Sequence, residues 1–419
     1  MFEPIFDQAT IHLLHNPAAS HGSAYPHDLK DIFDISSSQR AVSEIRQWPG
    51  YHVTPLSSLD LLAEELGLGG IYYKDESSRF GLGSFKSLGG AYEVLCLLQE
   101  QISAKSGQKV TFAEIRSGQF AEQVRQITVI TATDGNHGRS VAWGARLFGC
   151  PCVIYIHAEV SAGRARAMQE LGARVVRIDG NYDDSVAAAT EAADQNGWFI
   201  VSDTSWEGYT HLPRHVMAGY TVMADEIDAQ LSHQVRLSHT FVQGGVGGLA
   251  GAMCGYQWQR YGKDRPRFVI VEPDRADCLY QSAKNGQPTE VRITEETIMA
   301  GMSCGRVSDL AWTILSRGTD DFISIPDTLV PPVMRDLAAG RYGECPIVAG
   351  ESAVAGLAAL ITVCRRADLS NALALTKQSQ VLLYGTEGAT DPQIYQDIVG
   401  RSAEEIVAGS AVTVAENSS

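Results

Sequence analysis

The sequence predicts an α/β protein built on parallel sheets that are flanked by helices. Short runs rich in Val, Ile and Tyr recur along the chain, and most are separated by segments with helical spacing of apolar residues, such as GRSVAWGARLFG and AGRARAMQELG. This alternation is typical of parallel strands joined by crossover helices. The composition agrees, because 44% of the 419 residues are hydrophobic and 20% are charged, as in ordinary globular chains.

The predicted strands extend over most of the chain. In order they are GIYYKDE, TVITAT, CVIYIH, ARVVRID, WFIVSD, HTFVQGG, RFVIVEPD, DFISIPD and QVLLYGTEG. Closely spaced strand and helix patterns occupy residues 125–196, which we expect to form a small α/β domain. Residues 1–124 and 197–419 would then form a larger sheet domain, into which the small one is inserted.

The charge balance restricts the possible partners. Lys and Arg total 33 against 49 for Asp and Glu, which gives a net charge of −16. Such a surface repels polyanions, so nucleic acids and anionic membranes are poor partners. The start of the chain lacks the basic and apolar regions of an export signal, and the most apolar stretch, residues 352–364, is too short to span a bilayer. We expect a cytoplasmic protein that binds a small molecule.

The loops that follow several predicted strands carry most of the polar and glycine-rich motifs. They are RFGLGSFKSLGG, TDGNHGRS, DTSWEGY, GGVGGLAG and GTEGATD. In open parallel sheets, ligands bind at the carboxyl ends of strands, where loops lead into helices. We therefore expect these loops to converge on one cleft.

The glycine loop QGGVGGLAG permits three interpretations. It follows an apolar strand and precedes a helix, so its backbone amides could bind a phosphate group. Gly245, Gly247 and Ala250 also fit the dinucleotide pattern G-x-G-x-x-A, with Glu272 near the end of the next strand. Alternatively, the glycines merely allow close packing of helix and sheet. The loop alone does not decide among these.

Lys86 lies in the predicted first turn of a helix, between glycine-rich segments. A helix N-terminus carries partial positive charge, so a lysine is unfavourable there unless it is neutralised, paired or covalently used. A Schiff base with pyridoxal phosphate, whose phosphate group the glycine loop would hold, explains both features. The alternative is a surface lysine whose aliphatic stem packs on the protein.

These motifs resemble those of the fold-type II pyridoxal phosphate enzymes, which include threonine dehydratase, serine racemase and cysteine synthase. SFKSLGGAY is similar to the lysine motif of the group, DGNHGRSVAWGA to its S-x-G-N-H loop, and GGVGG to its phosphate loop. Further segments, among them YKDESSRFGLGSFK and VEPDRADCLYQS, resemble the diaminopropionate ammonia-lyases within that group. The resemblance implies two open, twisted, mostly parallel sheets with the cofactor in the cleft between domains.

The resemblance also implies how the cofactor, pyridoxal 5'-phosphate, is bound. Lys86 would form the Schiff base, and Asn136 would contact the phenolic oxygen of the cofactor. Thr386 would face the pyridine nitrogen, where a neutral hydroxyl leaves a weaker electron sink than a carboxylate would, which favours elimination over transamination. The phosphate group would be bound by Gly244, Gly245, Val246, Gly247 and Gly248.

Three residues are predicted to be catalytic: Lys86, Asp134 and Asp203. Asp134 stands where serine and threonine dehydratases usually carry a small hydroxyl residue, and it would act as a base on the cofactor face opposite Lys86. It could instead cap the following helix, and Asp203 could instead be a turn residue after a strand. Beside Lys86, the two carboxylates would repel a second substrate carboxylate and attract a β-ammonium group.

The activity that the resemblance implies is α,β-elimination of 2,3-diaminopropionate, in both D and L forms, to pyruvate and two ammonia by a homodimer. Rival interpretations are a dehydratase or ammonia-lyase for serine, threonine or another β-substituted amino acid, and a non-catalytic protein that binds pyridoxal phosphate. Neither an H-E-x-x-H motif nor paired C-x-x-C motifs occur, so we expect no metal. Cys278 and Cys304 could form a disulfide or remain thiols.

Overall fold

The computed structural model describes residues 2–133 and 135–409, and it confirms an α/β architecture with mostly parallel sheets. In chain order the strands are β1 (His12–His15), β2 (Leu56–Ser58), β3 (Gly70–Asp75), β4 (Val129–Ala132), β5 (Cys152–Ile156), β6 (Arg174–Arg177), β7 (Phe199–Ile200), β8 (His239–Gln243), β9 (Arg267–Pro273), β10 (Asp321–Ile325) and β11 (Gln380–Gly385). They form a seven-stranded sheet and a four-stranded sheet.

Helices connect most of the strands. In chain order they are α1 (Ile5–Gln8), α2 (Ile35–Ile45), α3 (Asp60–Leu66), α4 (Lys86–Ser106), α5 (Phe112–Arg116), α6 (Ala121–Val124), α7 (Asn136–Phe148), α8 (Ala162–Glu170), α9 (Tyr182–Asn196), α10 (His211–Tyr220), α11 (Val222–Gln230), α12 (Gly248–Tyr261), α13 (Cys278–Asn285), α14 (Asp309–Gly318), α15 (Val330–Ala338), α16 (Ala355–Arg365), α17 (Ala367–Ala372) and α18 (Pro392–Val399). Short 3-10 helices lie at His27–Asp31, Arg79–Gly81, Gly262–Asp264, Ala300–Met302 and Asp327–Leu329. Among the described residues, no helix combines the length and apolar character needed to cross a membrane.

The seven-stranded sheet has the order β1-β10-β9-β8-β11-β3-β2. Its five inner strands are parallel, and the edge strands β1 and β2 pair antiparallel with β10 and β3. Alternate residues of a strand face opposite sides of a sheet. Phe241, Val269 and Leu383 belong to a hydrophobic cluster that includes most of α16. Their sequence neighbours Val242 and Ile270, which face the opposite side of the sheet, are also fully buried. Both faces of the sheet are therefore covered.

The four-stranded sheet has the order β6-β5-β4-β7 and is parallel throughout. One of its faces packs against α9, through a cluster that contains Ile130, Val153, Ala189 and Ala193. A capping box at Asn181 defines the start of α9: its side chain accepts from the backbone N–H of Asp184, whose carboxylate accepts from the backbone of Asn181.

The chain divides into two compact units by its contacts. Among the described residues, the large unit comprises residues 2–35, 53–84 and 223–409, and the small unit comprises residues 36–52, 85–133 and 135–222. The small unit thus extends beyond the segment 125–196 expected from the sequence. The reason is helix packing on α4: a Cβ at Gly144 of α7 would lie 2.6 Å from Cα of Ala91, and one at Gly219 of α10 would lie 2.4 Å from the carbonyl oxygen of Leu88.

A cluster of buried charges, which we call the β3 charge cluster, lies in the large unit and connects β3 and the residues that follow it to α11. Its members are Lys74, Glu76, Arg79 and Glu226, whose side chains are at most 1% exposed. Nζ of Lys74 lies 2.6 Å from Oε2 of Glu226, and Nε of Arg79 lies 2.8 Å from Oε2 of Glu76. Arg79 also donates to both carboxylate oxygens of Glu226 at 2.8 Å. Two positive and two negative groups balance one another, which burial requires.

No disulfide is formed by the eight cysteines, all of which lie within the described part of the chain. Cys278 is buried at the start of α13, and its thiol donates to the carbonyl oxygen of Gly245 at 3.5 Å. This thiol therefore contacts the backbone of the glycine loop.

Candidate active site

Lys86 and Asp203 lie side by side in the small unit. Lys86 is the first residue of α4, and Asp203 follows β7; Nζ and Oδ2 form an ion pair whose side chains are 20% and 19% exposed. The pair neutralises the lysine that would otherwise be unfavourable at a helix N-terminus. Two of the three residues predicted to be catalytic are thus brought together. The third, Asp134, lies outside the described residues.

The carboxylate of Asp203 is held in its charged form by two neighbours. Burial alone would raise its pKa, but the positive charges of Lys86 and His137 lower the pKa well below the usual range. Nδ1 of His137 lies 3.9 Å from Oδ2 of Asp203, and Nε2 lies 3.0 Å from the carbonyl oxygen of Val201. Because a carbonyl can only accept, Nε2 carries a hydrogen and Nδ1 faces the carboxylate.

The four-stranded sheet explains why these residues meet. Strands β4 and β7 are neighbours and parallel, so their carboxyl ends lie at the same edge. The chain after β4 leads into α7, which begins at Asn136, and the chain after β7 carries Asp203. Asn136 is half-buried in the first turn of α7, at the end of the helix where backbone N–H groups favour an acceptor.

A buried carboxyl group, Glu93, lies two helical turns beyond Lys86 on α4 and was not predicted from the sequence. The hydroxyl oxygen of Tyr209 lies 3.1 Å from Oε1 of Glu93, 2.9 Å from the carbonyl oxygen of Ile200 and 3.2 Å from the backbone nitrogen of Ser202. Burial, together with the negative charge of Asp203, raises the pKa of Glu93 well above its usual value, although the contact with Tyr209 opposes this.

These contacts centre on the hydroxyl group of Tyr209. Its hydrogen is directed at Oε1 of Glu93 and at the carbonyl oxygen of Ile200, and its oxygen accepts from the backbone N–H of Ser202. Ser202 precedes Asp203 directly. Glu93 and Tyr209 therefore fix the backbone next to Asp203, and a single Glu inside the apolar run AYEVLCLL was the signal that could have revealed it.

The glycine loop connects β8 to the 14-residue helix α12 in the large unit. Gly245 and Gly247 have φ angles of 63° and 99°, which side chains rarely permit. A Cβ at Gly244 would lie 2.5 Å from Cγ of Glu272. The loop therefore requires glycine, and its amides precede the N-terminus of a helix, where an anion is favoured. This arrangement fits the phosphate group of pyridoxal phosphate.

Glu272 has a structural role that does not fit dinucleotide binding. Its carboxyl oxygens accept from the backbone N–H groups of Leu279 and Tyr280 at 3.1 and 2.7 Å, in the first turn of α13. The side chain is fully buried, and burial raises its pKa to about 8 despite these two donors. Glu272 therefore caps α13. It is not available as the acidic residue that the dinucleotide interpretation requires.

Thr386 directly follows β11 in the large unit and is buried. The neighbouring Glu387 accepts from the backbone of Ser352 at 3.3 Å, and the hydroxyl of Ser352 accepts from the backbone of Gly301 at 3.1 Å. Strands β8 and β11 are adjacent and parallel, so Thr386 and the glycine loop follow the same edge of one sheet. Neither Ser352 nor Glu387 was singled out from the sequence, although Glu387 lies in the loop GTEGATD, because their contacts join segments far apart in the chain.

Comparison with known proteins agrees with this geometry. A family model described as pyridoxal-phosphate dependent enzyme matches residues 47–383. The diaminopropionate ammonia-lyase of Salmonella typhimurium is 40% identical over 368 residues, which cover 85% of this chain and 91% of that protein.

Solved structures of diaminopropionate ammonia-lyase from Escherichia coli are similar over nearly the whole chain. One, in complex with an aminoacrylate-PLP azomethine reaction intermediate, has a TM-score of 0.83 at 37% identity and covers 93% of this chain and 97% of that one. Another, in complex with D-serine, has the same TM-score and identity and covers 94% and 98%. With the matched family model spanning most of its length, this chain belongs to the family of pyridoxal-phosphate dependent enzymes.

Proposed function

We propose that this protein is a lyase that eliminates ammonia from 2,3-diaminopropionate and yields pyruvate and two ammonia. The structural observation that carries the proposal is the contact between the carboxylate of Asp203 and the amine of Lys86. The names of the relatives described above support the same activity. The similarity of their solved structures to this one supports the fold on which the proposal rests.

The residues predicted to hold the cofactor would have separate tasks. The amides of Gly244 to Gly248 would bind the phosphate group, Lys86 would provide the amine that reacts with the aldehyde, and Asn136 and Thr386 would contact the ring. Pyridoxal phosphate, when bound, supplies the conjugated ring that withdraws electrons from the substrate's Cα. The buried hydroxyl of Thr386 is neutral and can donate to an unprotonated ring nitrogen.

The charge of the site favours a substrate with a β-ammonium group. Asp203 stays ionised over the physiological pH range, because its pKa is held well below the usual value. A cation on Cβ is attracted to this carboxylate, whereas the second carboxylate of an acidic amino acid is repelled. Serine and threonine carry a neutral hydroxyl there and gain no such attraction.

The elimination requires removal of the Cα proton, and the β-ammonium group already carries the protons with which it leaves as ammonia. A base removes the proton from Cα, and the Cβ–N bond then breaks, with its electron pair leaving on nitrogen as ammonia. The released enamine is hydrolysed by one water molecule to pyruvate and the second ammonia. Nζ of Lys86 takes the Cα proton of the L form, and Asp134 takes that of the D form. Asp203 lies next to Nζ and holds it in place for this transfer.

The experiment that tests the function is a substrate panel. Purified holoenzyme is incubated with D- and L-2,3-diaminopropionate, D- and L-serine, and L-threonine, and pyruvate or the corresponding ketoacid and ammonia are both quantified. We expect the diamine to have the highest kcat/KM and to release two ammonia per pyruvate. A higher kcat/KM for serine, with one ammonia per pyruvate, would replace the proposal by a dehydratase. Absence of turnover on the whole panel would favour the non-catalytic alternative.

We infer further that the protein works as a homodimer in the cytoplasm, as the family resemblance suggests. The acidic composition supports the absence of nucleic acid and anionic membrane partners. Light scattering of the purified holoenzyme measures the oligomeric state, and a monomer mass would contradict the dimer.

A further inference from the structure

The small unit contains a group of three side chains of types that can bind a metal ion. None of them is Lys86 or Asp203. His211 and His215 are one turn apart on α10, and Glu100 lies on α4. Oε1 of Glu100 is 2.9 Å from Nε2 of His211 and 3.1 Å from Nε2 of His215. The three ligand atoms lie within 4.8 Å of one another. Three potential donor atoms thus converge on one point between two helices.

The helices hold these donors in position. Residues four apart on a helix share a face, so α10 presents both imidazoles on one side. The closeness of α4 and α10, set by the contact of Gly219 with the backbone at Leu88, brings Glu100 to that side. The side chain of His215 is 21% exposed and that of Glu100 is 34% exposed, while His211 is 66% exposed. Glu100 and His215 are therefore partly buried, whereas the side of the group formed by His211 is open to solvent.

The donor set and spacing suit a transition-metal ion. Zinc binds imidazole nitrogen and carboxylate oxygen at about 2.0–2.2 Å, so neighbouring ligand atoms in a tetrahedral site are about 3.3 Å apart. The separations of Oε1 of Glu100 from the two imidazole nitrogens, 2.9 and 3.1 Å, are close to that value, and all three ligand atoms lie within 4.8 Å of one another. Magnesium and calcium prefer oxygen ligands throughout, which two imidazoles do not offer.

We propose that Glu100, His211 and His215 bind one divalent transition-metal ion, with zinc as the natural occupant and water in the fourth position. Sequence motifs did not reveal this site, because the pattern His-x-x-x-His is short and its third ligand lies 111 residues before His211. The ion would join the first turn of α10 to α4. Since α4 begins at Lys86 and α10 follows the segment that carries Asp203, it would stabilise the small unit near both residues.

The competing interpretation is a hydrogen-bonded cluster without metal. Burial would raise the pKa of Glu100, but hydrogen bonds from His215 and His211 lower it below the usual value. Such a cluster is complete without an ion, whereas a metal site binds one through the imidazole nitrogens and the carboxylate. The two interpretations therefore differ in their response to added metal.

The test is titration of metal-free holoenzyme with zinc, with binding measured by calorimetry. The exposed Cys345 is replaced by Ser in all proteins, because a thiol is itself a zinc ligand. We expect one zinc ion per chain and a rise in the thermal midpoint on binding. The Glu100→Gln, His211→Ala and His215→Ala variants should bind at least about tenfold more weakly. His233→Ala, which removes an exposed histidine elsewhere, is the matched control and should bind as the parent does.

Cobalt provides an independent readout. Bound Co²⁺ in a four-coordinate site gives an intense visible d–d band, which the parent and the control should show and His211→Ala should lose. The side chain of His211 is largely exposed, so its removal should leave the fold intact. Equal zinc affinity in the parent and all three ligand variants, or no binding by the parent, would overturn the proposal. Turnover of diaminopropionate is not part of this test, so a failed substrate assay leaves its outcome unaffected.

Discussion

Lys86 and Asp203 form an ion pair although 117 positions separate them in the sequence. The pair exists because α4 begins with the lysine while β7 ends just before the aspartate, and both belong to the small unit. A carboxylate that stays ionised next to the reactive amine can orient that amine and attract a cationic substrate group. In the proposed function, the pair connects cofactor attachment with the choice of substrate.

Replacing Lys86 by Ala should abolish covalent attachment of pyridoxal phosphate and reduce turnover by more than about 10⁴-fold, since a general base alone contributes about 10²- to 10⁴-fold. Borohydride reduction followed by peptide mass spectrometry locates the attachment. Lys105→Ala, at the exposed opposite end of α4, is the control and should retain both properties. Cofactor found on another lysine of the unmodified protein would contradict the assignment.

Replacing Asp203 by Asn should lower kcat for diaminopropionate by about 10²- to 10⁴-fold while leaving cofactor attachment intact. The amide keeps the shape of the side chain but removes the charge that faces Lys86 and His137. Steady-state kinetics on the variant and on Asp179→Asn, which changes an exposed aspartate of the same unit, measure the effect. If both variants lost activity equally, Asp203 would have no special role.

Replacing Asp134 by Asn should impair elimination from the D form far more than from the L form. The reason is that Asp134 is assigned as the base for the D form, and Lys86 as the base for the L form. Separate kcat/KM values for the two pure enantiomers decide this. Equal losses on both enantiomers would be incompatible with one base on each face.

The Glu93→Gln variant should change the pH dependence of stability. The pKa of Glu93 is raised in the folded protein, so the neutral carboxyl contributes stability that is fully present below its usual pKa of about 4.5 and is lost as pH rises through the raised value. Glutamine is neutral at every pH and keeps the same shape. We therefore expect similar thermal midpoints near pH 5 and a higher midpoint for the variant near pH 9. Parallel pH profiles would show that Glu93 is already ionised.

Replacing Arg79 by Met should destabilise the protein by about 3–5 kcal/mol, because Glu76 and Glu226 would remain buried without their main cation. Urea unfolding with saturating pyridoxal phosphate measures this change. The control is Arg125→Met, which breaks an exposed pair with Glu122 and should cost less than about 1 kcal/mol. A similar midpoint shift in the two variants would mean that the β3 charge cluster is not more important than a surface pair.

The sequence predicted the strands of the parallel sheets well, because apolar runs between helical patterns have a clear physical signature. It missed β1 and β2, which are edge strands of four and three residues, none of which is fully buried. It also placed the domain boundary differently, since the packing of α4 against α7 and α10 is a long-range property that no local pattern carries.

The residues of the candidate site likewise fall into two groups, those with a local sequence signature and those without one. Lys86, Asp203 and the glycine loop were predicted because each sits in a loop with recognisable chemistry. Glu93, Tyr209 and Glu272 owe their roles to burial and to partners distant in the sequence. Their contribution becomes visible only when the backbone that surrounds them is known.

The β3 charge cluster limits how this chain can change over evolutionary time. Loss of one member leaves an opposite charge stranded in the interior, whereas simultaneous replacement of Lys74 and Glu226 by apolar side chains removes both charges together. Homologues are therefore expected to exchange these positions in matched pairs. Anyone redesigning the segment that leads to Lys86 would have to follow the same rule.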